Sequence, residues 1–72
     1  MKESDLLLVE KKILELLAKG KKQSELPSEL DRQGVTPNSL RYIELRLKEL
    51  KNRYNCKTLT QLIYKATKKG II

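Results

Sequence analysis

Asn38, Arg41, Leu45, Lys48 and Asn52 follow one another at intervals of three and four residues. On a helix that spacing lines them along one face. Their types suit the reading of a duplex edge. Arg can make a bidentate contact with guanine, Asn can do so with adenine, and Leu can meet a thymine methyl group. Tyr42 flanks the row, with a hydroxyl able to reach a phosphate. Asn38, Arg41, Tyr42, Leu45 and Lys48 are therefore the candidate base-reading residues. Thr36 and Ser39, at the expected helix start, add hydroxyl and backbone N–H groups suited to holding a phosphate. For each polar residue of the row the plain alternative is a solvated charged face. Leu45 does not fit that alternative, because an apolar residue amid a polar face calls for a partner outside the core.

The charge distribution favours the same chemistry. Residues 1–36 carry seven Lys/Arg and seven Asp/Glu and sum to zero. Residues 37–72 carry nine Lys/Arg against Glu44 and Glu49, so the whole net charge of +7 lies in the second half. A phosphate backbone rewards each cation placed near it, and a helix fits the major groove. A neutral scaffold followed by a cationic helix is what a small duplex-binding module needs.

Catalysis finds little support. There is no His, which removes the commonest general base and the commonest metal ligand. Cys56 is alone, so neither an intrachain disulfide nor a Cys-rich zinc site can form, and the thiol is expected to pack as a small hydrophobe. Glu44 and Glu49 stand among Lys and Arg, where surface ion pairs with Lys48, Arg41 or Arg53 are expected rather than acid–base chemistry. Seventy-two residues form one domain over 1–72 with a modest core, too small to enclose a substrate cavity. No enzyme activity, cofactor, metal or small-molecule substrate is expected. No apolar run approaches the ~20 residues of a membrane span, and Leu6–Val9 is too short for a signal-peptide core. A cytoplasmic chain with no membrane partner is the expectation. Tyr42, Tyr54 and Tyr64 are the only aromatics, so stacking platforms for single strands are sparse.

Four helical patterns must position these residues, at about 5–19, 25–33, 37–54 and 58–69. The first carries Leu6, Val9, Ile13, Leu16 and Leu17 at helical spacing, widened by Leu14 and Ala18, with Ser4 or Asp5 as cap and Gly20 as stop. The second opens at Ser24 as N-cap, with Pro27 in its first turn, turns Leu26 and Leu30 inward and stops at Gly34. The third begins at Thr36 with Pro37 in the first helical position. Its seam is Leu40, Ile43, Leu47, Leu50 and Tyr54, and Asn55 closes it. The fourth starts at Thr58 and packs Leu59, Leu62, Ile63 and Ala66, with Lys68 and Lys69 before Gly70. The fold class is all-α, a four-helix bundle-like domain containing a helix-turn-helix.

This series of residues resembles the helix-turn-helix effector domain of LuxR/GerE/NarL-type bacterial transcription regulators. The family's first helix reads approximately L-T-x-R-E-x-E-V-L-x-L-L-A-x-G, and Leu6, Glu10, Ile13, Leu14, Leu16, Leu17, Ala18 and Gly20 fall on that frame. Its S-N-K-E-I-A-x-x-L is matched by Glu25, Leu26 and Leu30, and its I-S-x-x-T-V by Val35, Thr36, Ser39 and Leu40. Arg53, Tyr54, Asn55, Cys56, Thr60, Leu62, Ile63, Ala66, Gly70, Ile71 and Ile72 match its C-terminal K-L-G-V-x-x-R-T-x-L-V-x-x-A-x-x-x-G-L-I. The resemblance covers about residues 6–72. Pro27 replaces a family Ala, Asp31-Arg32-Gln33 lengthens the second helix or its turn, and the segment from Pro37 to Tyr54 is about three residues longer than the family's recognition helix. Aligned from its N-terminus, the base-facing positions fall on Arg41, Tyr42 and Leu45; aligned from its C-terminus, on Glu44, Leu45 and Lys48. The helical wheel favours the first register.

The resemblance implies double-stranded DNA as partner, with the third helix in the major groove. It places Lys21, Lys22, Gln23 and Ser24 near phosphates, with Lys57 and Thr58 before the fourth helix; the plain reading for these Lys residues is solubility, which is the favoured one for Lys21. Thr36, Ser39 and Arg46 complete the backbone candidates. The family often dimerises through its fourth helix, where Tyr64, Lys65 and Lys68 lie off the apolar face; these three make a weak dimer patch, so a monomer in solution is expected, pairing, if at all, on DNA. The chain reads either as an excised effector domain or as a stand-alone one. Two alternatives stand beside DNA: a protein-interaction module docking Leu45 and Tyr42 on a partner such as RNA polymerase, and an RNA-binding module driven by the same charge.

Overall fold

Four helices and one 3₁₀ turn follow from where the apolar residues recur and where the backbone can reverse. The computed structural model describes residues 6–70 and residue 72. Helix α1 spans Leu8–Ala18, a 3₁₀ turn spans Gln23–Glu25, and α2, α3 and α4 span Leu26–Arg32, Leu40–Arg53 and Leu59–Lys68. No strand occurs among the described residues, so the fold is all-α. Val9, Ile13, Leu14 and Leu16 bury one face of α1, as their spacing predicts, whereas Ala18 is exposed. The expected caps Ser4 and Asp5 lie outside the described residues. Leu7 is the N-cap position, and its N–H donates to Glu10 Oε1 at 3.0 Å.

Three helices end in the same way. After α1, Gly20 takes φ +100° and Lys21 N–H returns to the Leu16 carbonyl at 3.1 Å. After α2, Gly34 takes φ +74° and Val35 N–H returns to Leu30 at 2.9 Å. After α3, Asn55 takes φ +58° and Cys56 N–H returns to Lys51 at 2.7 Å. This bonding satisfies carbonyls that the helix leaves open, and after α2 and α3 it turns the next residue inward, whereas Lys21 after α1 stays exposed. Val35 and Cys56 are buried for that reason.

Three helix starts differ from expectation, and α1 is the first, beginning at Leu8 rather than near residue 5. Ser24 does not cap α2. Instead Lys22 N–H donates to Glu25 Oε1 at 2.9 Å, the chain coils as a 3₁₀ turn, and Pro27 becomes the second residue of α2, where no N–H is needed. Helix α3 starts three residues later than the Pro37 signal suggests. Ser39 Oγ accepts Tyr42 N–H at 3.1 Å and so fixes the N-cap, while Pro37, after a cis peptide bond, stays in the turn. Leu40, expected in the seam, is consequently at the helix rim and 41% exposed.

Ile13, Leu14, Leu26, Leu30, Ile43, Leu50 and Leu62 are fully buried and join all four helices in one core. Helix α1 packs on α2, α3 and α4, and α3 also meets α2, α4 and the 3₁₀ turn. The radius of gyration is 11.2 Å, matching the about 11 Å of a packed chain this long. Ile43, Leu47 and Leu50, with half-buried Tyr54, turn the seam of α3 into this core. Its opposite face is thereby fixed outward. No helix among the described residues is long and apolar enough to cross a membrane.

Candidate nucleic-acid interface

The outward face of α3 carries Arg41, Leu45, Lys48 and Asn52, all exposed. Successive side chains turn by about 100°, so these four fall opposite the buried Ile43–Leu47–Leu50 seam. Leu45 is 55% exposed although it is a large apolar side chain surrounded by polar ones. Glu44 is exposed at the flank of the row. Fourteen residues make a rod of about 21 Å, long enough to lie along a groove about 12 Å wide.

Two expected members leave the row. Asn38 lies before the helix, and its Nδ2 donates to the Val35 carbonyl at 3.1 Å, bracing the turn between α2 and α3. Tyr42 is half-buried and packs against the core, with the Arg46 guanidinium 5.7 Å from its ring centroid. The late start of α3 explains Asn38. Tyr42 turns inward because it lies on the side of α3 that faces α1.

Arg46 is a larger correction. It was expected to meet a phosphate, but its side chain is only 17% exposed and reaches into the domain. Nη1 donates to Glu10 Oε2 at 2.9 Å, and Nη2 lies 2.6 Å from Glu49 Oε1. Glu10 is completely buried, with Arg53 Nη1 4.0 Å from its Oε1. One carboxylate from α1 thus accepts the N-cap N–H of its own helix and a charged donor from α3. The interaction ties α3 to α1 and orients the exposed row. The sequence held a signal for it. Glu10 is four residues from Leu6 and from Leu14 on the apolar stripe, and Arg46 falls between Ile43 and Leu50 on the seam side. A charge on an apolar face points to a buried partner. Glu49, expected to pair with Lys48, Arg41 or Arg53, pairs with Arg46 instead.

The other backbone candidates fall in three groups. Lys22, Gln23 and Ser24 are exposed at the 3₁₀ turn, which packs directly on α3. Thr36 and Ser39 are exposed before α3, with Ser39 Oγ engaged as acceptor of the cap bond. Lys57 and Thr58 are exposed at the start of α4, where Thr58 Oγ1 accepts Gln61 N–H at 3.1 Å. A hydroxyl that accepts a cap bond still has its own proton to donate. Lys21 pairs with Glu29 at 3.6 Å. The Arg32 guanidinium bonded to Glu29, with Lys21 alongside, holds that carboxyl below its ordinary range against partial desolvation.

Of the dimer candidates, Tyr64 is 63% exposed and Lys68 Nζ lies 5.7 Å from its ring centroid. Lys65 is not a surface group in the same sense. It is half-buried, and its Nζ donates to the Tyr54 carbonyl at 2.9 Å, at the end of α3. Carbonyls there have no partner within the helix and attract a cation.

No family model matches the chain, and no curated protein or solved structure matches it.

Proposed function

We propose that this domain binds double-stranded DNA, with α3 in the major groove. Arg41, Leu45 and Lys48 read base edges, and Asn52 extends the row. Lys22, Gln23, Ser24 and Lys57 hold the flanking phosphates, helped by the hydroxyls of Thr36, Ser39 and Thr58. One observation carries the reading. A helix pinned by its seam presents an Arg, a half-exposed Leu, a Lys and an Asn along a single outward line. Each of those types has a partner on a major-groove edge. The 3₁₀ turn packed on α3 sets Lys22 beside the same helix, where a cation positions without reading sequence.

The protein-docking alternative relied on Leu45 together with Tyr42. With the Tyr42 ring packed on the core, the two do not form a joint apolar anchor. The RNA alternative draws on the same charge and is separated by competition with structured RNA.

Selection from a random duplex library near physiological salt tests the proposal. An enriched motif is expected, and no enrichment overturns it. On the enriched site, Arg41→Ala is expected to cost about 1–3 kcal/mol and relax the preference at one position. Lys22→Ala is expected to weaken all sequences alike. Equal losses for both, independent of sequence, would remove Arg41 as a reader.

A further inference from the structure

A second cationic feature lies away from the outward row of α3. An open groove of about 490 Å³ runs between the end of α3 and the last turns of α4. Arg53, Tyr54, Tyr64, Lys65, Lys68 and Lys69 line it, with Asn55 at the turn, and no carboxylate among the described residues contributes to the lining. It shares no residue with the Arg41, Leu45, Lys48 and Asn52 row. Arg53 lies about 100° round the helix from Asn52. Two of its cations have internal tasks: Lys65 holds the Tyr54 carbonyl, and Arg53 approaches Glu10. Lys68 and Lys69 are exposed. Cations at a helix end suit the dipole, but that does not require an exposed aromatic ring beside them.

We propose that this groove binds a single nucleic-acid strand, with phosphates on Lys68 and Lys69 and one base on the Tyr64 ring. A cationic groove with an exposed ring in its wall is the arrangement that holds single strands without sequence preference. Charge decides the occupant. A second copy of the chain packed symmetrically on this face would set Lys68 and Lys69 against their own equivalents, since an isologous interface repeats the same patch. A phosphodiester strand removes that repulsion. The Lys68–Tyr64 contact is exposed and yields to a base, leaving Lys68 free to meet the adjoining phosphate.

The test is fluorescence anisotropy with a labelled twenty-residue oligothymidine strand from 50 to 300 mM salt. Each phosphate contact on a single strand contributes a slope of about 0.7 in log K against log salt. Lys68→Gln with Lys69→Gln should therefore lower the slope by about 1.4 and weaken binding about ten-fold near 0.15 M salt. Tyr64→Leu should weaken it about five-fold or more with no change in slope. Arg41→Ala with Lys48→Ala should leave it unchanged. All these side chains are exposed, and a thermal melt of each variant confirms its fold. Absence of oligothymidine binding overturns the proposal. So does an equal loss in the Arg41/Lys48 pair, or a silent Tyr64→Leu, either of which marks diffuse charge. Because the residue sets do not overlap, failure here leaves the duplex selection to be judged by its own result.

Discussion

Replacing Glu10 by Leu and Arg46 by Met, singly and together, separates the structural role of Arg46 from a phosphate contact. Arg46→Met leaves the Glu10 carboxylate completely buried, without its 2.9 Å charged donor and with Arg53 only at 4.0 Å. Removing one partner of a buried pair costs about 3–5 kcal/mol. Glu10→Leu leaves a guanidinium that keeps Glu49 and reaches partly into solvent, so its loss falls toward the low end. It also removes the acceptor of Leu7 N–H, worth about 1 kcal/mol. A chain of 72 residues has about 4–11 kcal/mol of stability in all, so either single change brings it close to unfolding. The double replacement is expected within about 2 kcal/mol of the parent. Two desolvated charges disappear together, and Arg46 Nε, buried without a hydrogen-bond partner among the described residues, disappears with them.

Urea denaturation followed by far-ultraviolet circular dichroism gives the four stabilities and the coupling between the two sites. Arg46→Met losing less than about 1 kcal/mol would refute the buried pair. The double variant also keeps the net charge at +7, because one acid and one base leave together. Its duplex affinity and salt slope should equal those of the parent. A slope lower by about 0.9 would show that Arg46 touches a phosphate after all.

Three further outcomes follow from the local geometry. Ser39→Ala should destabilise by about 1 kcal/mol in urea titrations and Thr36→Ala by no more than about 0.5 kcal/mol, because Ser39 Oγ makes the cap bond of α3; the reverse order would restore the earlier helix start. Leu45→Ala should leave stability within about 0.5 kcal/mol, since the side chain is 55% exposed, while weakening duplex binding in gel-shift titrations; unchanged binding would leave Leu45 without a partner in the groove. Glu29 has its folded pKa lowered by the bonded Arg32, so its contribution is present above about pH 4.5 and is lost as pH falls through the lower folded value. Glu29→Gln should flatten the acid limb of melting temperature against pH, and coincident acid limbs would sink the assignment.

The helices and their ends were legible because each rests on a local rule. Apolar spacing gave the faces of α1, α3 and α4, and Gly20, Gly34 and Asn55 all take positive φ where the chain reverses. The starts were less legible because signals competed. Thr36-Pro37 and Ser39 are both sound N-terminal signals, and only the bond to Tyr42 N–H separates them. Ser24 lost its capping role to Glu25, whose carboxylate reaches back to Lys22 N–H. Side chains with distant partners were the hardest to place. Arg46 meets Glu10 across 36 residues, and Lys65 meets the Tyr54 carbonyl across 11. A charged residue defaults to the surface unless its place on the apolar face is weighed, and for Arg46 and Lys65 the default was wrong.

These corrections change how the charge of the second half can act. Of its nine cations, Arg46 and Lys65 turn to internal partners and Arg53 leans on Glu10. Lys68 and Lys69 face a separate groove. With Lys51 half-buried, the proposed duplex surface is left with Arg41, Lys48 and Lys57, joined by Lys22 from the neutral half. Lys22 and Lys57, the two cations placed on phosphates, give a salt slope of about −1.8. Raising salt from 50 to 200 mM then weakens binding about ten-fold. On the proposed function, a single domain with so few contacts holds a half-site loosely at physiological salt. Useful specificity requires a second copy on an adjacent half-site, spaced by one helical turn or a multiple of it. A half-site oligonucleotide and a two-site oligonucleotide should accordingly differ in affinity by far more than the statistical factor of about two. Equal per-site affinities in a titration of both would mean that the copies act independently, and that specificity resides in the single row of α3.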